Sequence, residues 1–152
     1  MKRVALQVFA LLMISMVLAV VSNTVRSGGL PWRGSEPDAL VYSKIDWVSV
    51  DAAAPLQDDV MTLFVDARPQ AQFAQQRVFG AVSLPADDLT VNWAAIRDFL
   101  DPSMTLIVYA DDPNLTVRVV EFLGARGFRV QGLGGGWDAW QAAHLPEERG
   151  RQ

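Results

Sequence analysis

The sequence predicts an α/β domain, a small open and mainly parallel sheet with helices on both faces, preceded by one N-terminal transmembrane helix. Three observations predict it. Short, nearly continuous apolar runs, Val60-Met61-Thr62-Leu63-Phe64-Val65 and Thr105-Leu106-Ile107-Val108-Tyr109, have the pattern of strands buried on both faces. Helix-like stretches alternate with these runs, which calls for crossover connections and parallel pairing. Finally, Val4 to Val21 is apolar except for Gln7 and Ser15. As a helix that segment spans roughly 27 Å, close to the thickness of a hydrocarbon core.

Lys2 and Arg3 precede the apolar segment, which favours a cytoplasmic N-terminus and an extracytoplasmic domain. An uncleaved signal anchor is the first reading. A cleaved secretory signal, releasing the rest to the periplasm, is the alternative, although Val20 and Ser22 make only a weak cleavage pair. A core helix apolar on every face would need a larger protein around it than 152 residues provide.

All 17 acidic residues lie beyond residue 26, whereas three of the 13 basic ones (Lys2, Arg3 and Arg26) do not, so the part beyond carries about −7. That charge argues against nucleic-acid binding, which needs clustered Lys and Arg. It also leaves the anchor, not electrostatics, to hold the chain at a membrane. The chain has no cysteine, so disulfides, thiolate chemistry and cysteine-ligated metals are excluded. Its one histidine, His144, falls near the end of a predicted helix and reads as a surface or capping residue. No metal and no cofactor are expected.

Residues 1–22 form the anchor or signal segment, 23–42 a Ser/Gly/Pro-rich tether, 43–147 the domain and 148–152 a tail. Within the domain, Ile45 to Val50 reads as a short strand, with Asp51 capping a helical turn after it. Val60 to Val65 makes a buried strand ending at Asp66, and Pro69 to Gln76 a short helix with proline in its first turn. Val78 to Leu84 reads as one strand stopped by Pro85. Asp87 or Asp88 starts a helical region in which Trp93, Ile96, Phe99 and Leu100 share a face. Thr105 to Tyr109 is the third buried strand. A helix follows from Pro113 to Ala125, stopped by Gly127. Phe128 to Leu133 is a further strand, the glycine run a turn, and Trp137 to Ala143 the last helix.

Three motifs stand on this pattern. Phe64-Val65-Asp66-Ala67-Arg68 is a strand ending in an Asp-x-Arg turn. Phe73 and Gln76-Arg77-Val78-Phe79-Gly80-Ala81-Val82 form a second element. Gly134-Gly135-Gly136-Trp137-Asp138-Ala139-Trp140, followed by Leu145-Pro146, is the third. In this order the chain resembles the rhodanese-like domain family over residues 43–146. In the second element, Arg77 stands where the family has histidine and Phe79 where it has proline.

The resemblance implies a sulfurtransferase fold in which a nucleophilic cysteine follows the tyrosine and opens a loop ending in arginine. Ala110 takes the cysteine position, Leu115 takes the arginine position, and Arg118 lies three residues later. In the family the loop amides cradle an anionic sulfur donor at a helix start. Here Asp111 and Asp112 bring two carboxylates into that loop. Asp112-Pro113 is a strong helix start, so the Asp112 carboxylate is expected to accept from the amide of Asn114 or Leu115, while Pro113 removes a donor. An acyl-phosphate on Asp111 or Asp112 would need a metal and surrounding cations that this segment lacks.

The resulting expectation is an inactive rhodanese-like domain, not an enzyme, that binds or regulates an unidentified protein partner from a membrane-anchored position. The alternative is a small-anion sensor or hydrolase reusing the vestigial pocket, with Asp66, Arg68, Arg77 and Arg118 as candidate pocket residues. Salt bridges with the abundant carboxylates account for the same arginines.

Overall fold

The computed structural model describes residues 44–150. The apolar segment and the whole tether therefore lie outside the described residues, and no helix among the described residues is long and apolar enough to cross a membrane.

Five strands form one sheet: β1 (Trp47–Val48), β2 (Thr62–Asp66), β4 (Val82–Ser83), β5 (Thr105–Tyr109) and β6 (Arg129–Leu133). Their order is β1-β6-β5-β2-β4, and every pair is parallel. Two further strands, β3 (Gln76–Val78) and β7 (Glu147–Arg149), pair antiparallel in a small second sheet.

Among the described residues the α-helices are α1 (Val50–Ala53), α2 (Gln70–Gln75), α3 (Leu89–Ile96), α4 (Pro113–Gly124) and α5 (Gly136–Ala142). Side chains of a strand alternate between faces, and β5 uses both. Leu106 and Val108 join a core with Val65, Leu84, Val119, Val120 and Leu123, which α3 and α4 cover. Ile107 and Tyr109 join Phe64, Val78, Leu133, Trp137 and Trp140 on the other face, under α5. Trp140 is wholly buried, meets Phe64 edge-on at 5.1 Å and donates its indole N–H to Pro146 O at 3.1 Å.

Five expectations are corrected. Val78 to Leu84 is not one strand: it breaks at Phe79-Gly80, where Gly80 has φ 73°, and its two parts join different sheets. Phe99 is not in the core but 77% exposed, because Arg97–Phe99 is a 3-10 turn. A tighter turn shifts the phase of an α-helical face. Val60 precedes β2 and is exposed, the strand starting at Thr62. Ser49, not Asp51, caps α1, its side chain accepting from Ala52 N. Glu148 and Arg149, placed in the tail by sequence, belong to β7.

Candidate functional site

Ligands of open parallel sheets gather beyond the carboxyl ends of the strands. Here that edge carries Asp66 at the end of β2, Ala110 after β5, and the turn into α5. Ala110 is buried, and its carbonyl accepts from Trp137 N at 3.3 Å. Gly136 makes this approach feasible. It has φ 55°, and a Cβ there would overlap the Ala110 carbonyl oxygen.

The loop enters α4 through Asp112-Pro113. The Asp112 Oδ1 accepts from Asn114 N at 2.9 Å and from Asn114 Nδ2 at 3.0 Å, while its carbonyl accepts from Leu115 N at 3.0 Å. Pro113 occupies the first turn with no N–H to offer. The first-turn donors of α4 are therefore spent within the loop, as the Asp-Pro sequence predicts. Leu115 packs against the core beneath α3 and α4, and Thr116 is buried. A small cavity of about 110 Å³ remains between Trp47, Ala110, Asp111, Pro113 and Gly136.

Asp66 and Arg68 form a buried pair. Arg68 Nη2 lies 2.7 Å from Asp66 Oδ2, Nε is shared between both carboxylate oxygens, and the Arg68 amide donates to Oδ1 at 2.9 Å. Nη2 also donates to Gln76 O at 2.7 Å. The guanidinium lies over the Trp137 ring at 4.4 Å and the Tyr109 ring at 5.5 Å. Burial works against its charge, but the hydrogen bond and charge of Asp66 prevail and raise its pKa. Burial, reinforced by the Asp66 charge, pushes the Tyr109 phenol up, and its oxygen accepts from Val78 N at 3.1 Å.

Asp111 stands 3.9 Å from Arg68 Nη1 and is 42% exposed. Burial pushes its carboxyl above the ordinary value; Arg68 opposes that shift, while Asp138 and Asp66 add to it. An anion arriving here meets carboxylates and one arginine whose charge Asp66 already balances.

The three candidate arginines go to three neighbourhoods. Arg68 is locked against Asp66. Arg77 pairs with Glu148 on β7 and stacks on Phe73 at 4.8 Å. Arg118 borders a separate notch with Leu115, Pro69 and Pro85. Sequence reasoning missed Trp47, Asp138 and the Pro85-Ala86-Asp87 segment as neighbours of the loop. They are distant from the loop in sequence; Trp47 and the Pro85-Ala86-Asp87 segment lie in none of the three motifs, and Asp138, inside the third, has nothing in its local sequence that points to the loop. Among the described residues no group of three or more His, Asp or Glu side chains is placed to hold a metal ion.

The family model for the rhodanese-like domain matches residues 49–143, most of the described chain. The chain belongs to the rhodanese-like domain family. Solved structures agree on the fold. The Alr3790 protein from Anabaena sp. is 23% identical with a TM-score of 0.61, the match covering 69% of this chain and 94% of that one. BH2092 from Bacillus halodurans is 18% identical with a TM-score of 0.61, covering 70% and 79% respectively. A rhodanese-related protein from Thermoplasma volcanium is 16% identical with a TM-score of 0.58, covering 68% and 97%. No curated protein matches the chain.

Proposed function

We propose that this chain is a membrane-anchored, catalytically inactive rhodanese-like module, facing the extracytoplasmic side and acting by binding a protein partner. The observation that carries the reading is the spent cradle. The amides of Asn114 and Leu115, which would receive an anion at a helix start, donate to Asp112 instead. The composition supports it, since a chain without cysteine has no thiolate to accept sulfur. By family resemblance Ala110 stands in place of that cysteine and Leu115 in place of the loop arginine. The anchor is inferred from the apolar run Val4 to Val21 behind Lys2 and Arg3. A small-anion sensor lacks a comparable support, because Arg68, Arg77 and Arg118 do not converge.

The test is sulfur transfer from thiosulfate to cyanide by the full chain in detergent. No turnover above a heat-killed control is expected, and none after Ala110→Cys, because a thiol alone frees no amide and places no cation. Turnover by the unmodified chain overturns the inactive reading. Turnover by A110C alone overturns the spent-cradle argument. Crosslinking in native membranes, with identification of the captured protein, then names the partner.

A further inference from the structure

Next to the loop, at the carboxyl ends of β2 and β4, lies a notch of about 170 Å³. Its apolar walls are Ala67, Pro69, Pro85, Ala86 and Leu115, and its charged members, both exposed, are Asp87 and Arg118. That volume is well below the roughly 300 Å³ at which small-molecule sites begin, so it suits one inserted side chain better than a metabolite. Two of its walls are prolines, whose fixed backbone torsion keeps the notch preformed and lowers the ordering cost of binding.

The two charges are not equivalent. Asp87 Oδ1 already accepts from Asp88 N at 2.8 Å and from Asn92 Nδ2 at 3.1 Å. Arg118 makes no ion pair or side-chain hydrogen bond among the described residues. It follows Leu115 by three positions on α4, so the two share a helix face and the free guanidinium stands beside the apolar wall.

We infer that this notch receives a peptide segment of a protein partner, inserting one aliphatic side chain whose neighbouring carboxylate pairs with Arg118. The inference rests on the protein-binding reading above and gives it a surface. The carboxylate is either an Asp or Glu side chain or the end of a chain, and a guanidinium fork holds both in the same bidentate way. An exposed ion pair is worth little alone. The buried side chain therefore anchors the segment, Arg118 selects its charge, and the Asp87 charge fixes which way it runs.

The experiment uses the full chain, isotope-labelled, in nanodiscs of zwitterionic lipid. The amide resonances of Ala67, Ala86, Leu115 and Arg118 are followed during titration with three peptides: acetyl-Leu-Glu-amide, acetyl-Ala-Leu with a free C-terminus, and acetyl-Leu-Gln-amide. One or both of the anionic peptides shift these amides saturably, and the glutamine peptide binds about threefold or more weakly. Arg118→Gln removes that difference and Asp87→Asn strengthens the anionic peptides. Which anionic peptide binds better identifies the source of the carboxylate. Equal binding of all three, or no shifts at the notch, overturns the inference. Sulfur transfer measured on the same sample separates the failures: an inactive chain with a silent notch loses the notch alone, whereas an active chain loses the reading beneath it.

Discussion

Asp111 is the residue whose charge works against the fold that holds it. Burial raises its carboxyl pKa, and the attraction of Arg68 at 3.9 Å does not compensate. The unfolded chain therefore gives up this proton at a lower pH than the folded one. As pH rises from the ordinary value of 3.8, the folded state binds more protons than the unfolded state and stability falls through this group. Asp111→Asn keeps the shape and removes the charge, so it is expected to raise the Tm of the full chain in detergent at pH 7. The gain should shrink as pH falls and vanish below 3.8, where both states carry the neutral acid. A Tm difference independent of pH would refute the electrostatic account. Asp112, its neighbour, has the opposite role, since its carboxylate satisfies the helix start. One loop thus holds a stabilising and a destabilising aspartate side by side.

At the scale of elements, the junction between β5 and α5 is the tightest point near the site. Gly136→Ala would drive a Cβ into the Ala110 carbonyl at a φ of 55°. The expected cost is about 3 kcal/mol, from steric strain and an unfavourable backbone torsion together. Chemical denaturation checks it, and a loss below about 1 kcal/mol would mean the loop yields easily. Which elements were legible in the sequence follows from where their determinants lie. β5 was read to the residue, because a run buried on both faces is a local signal. The start of α4 is legible because Asp112-Pro113 is a local cap, and its end to within one residue because a glycine follows at 127, where φ is 90°. β3 and β4 were fused because their separation is decided elsewhere: β3 pairs with β7, and Gln76 reaches Glu147 across 71 positions. Within the site, the Asp66–Arg68 pair is legible because its members stand two positions apart in the Asp-x-Arg turn. The dispersal of Arg77 and Arg118 was not, since the partner of Arg77 comes from β7 and the notch beside Arg118 is completed by Pro69 and the Pro85-Ala86-Asp87 segment.

At the scale of the whole molecule, hydrophobicity and charge are divided along the chain. The apolar run Val4 to Val21 precedes a part carrying about −7, so attraction to anionic head groups does not hold the chain at a membrane. On the proposed anchoring, attachment depends on burial of the apolar run, a force that neither salt nor alkaline pH removes. The full chain is then expected to stay with membranes through high-salt and alkaline carbonate washes, and deletion of residues 1–22 should move it to the soluble fraction. A cleaved signal predicts a different outcome: a soluble product whose N-terminal sequence begins near Asn23. Finding that product as the main species would overturn the anchored reading while leaving the fold and the spent cradle as they are, since both lie within residues 44–150. An anchored chain would instead confine partner capture to the membrane plane. There a weak notch suffices, because confinement raises the effective concentration of any partner held in the same bilayer.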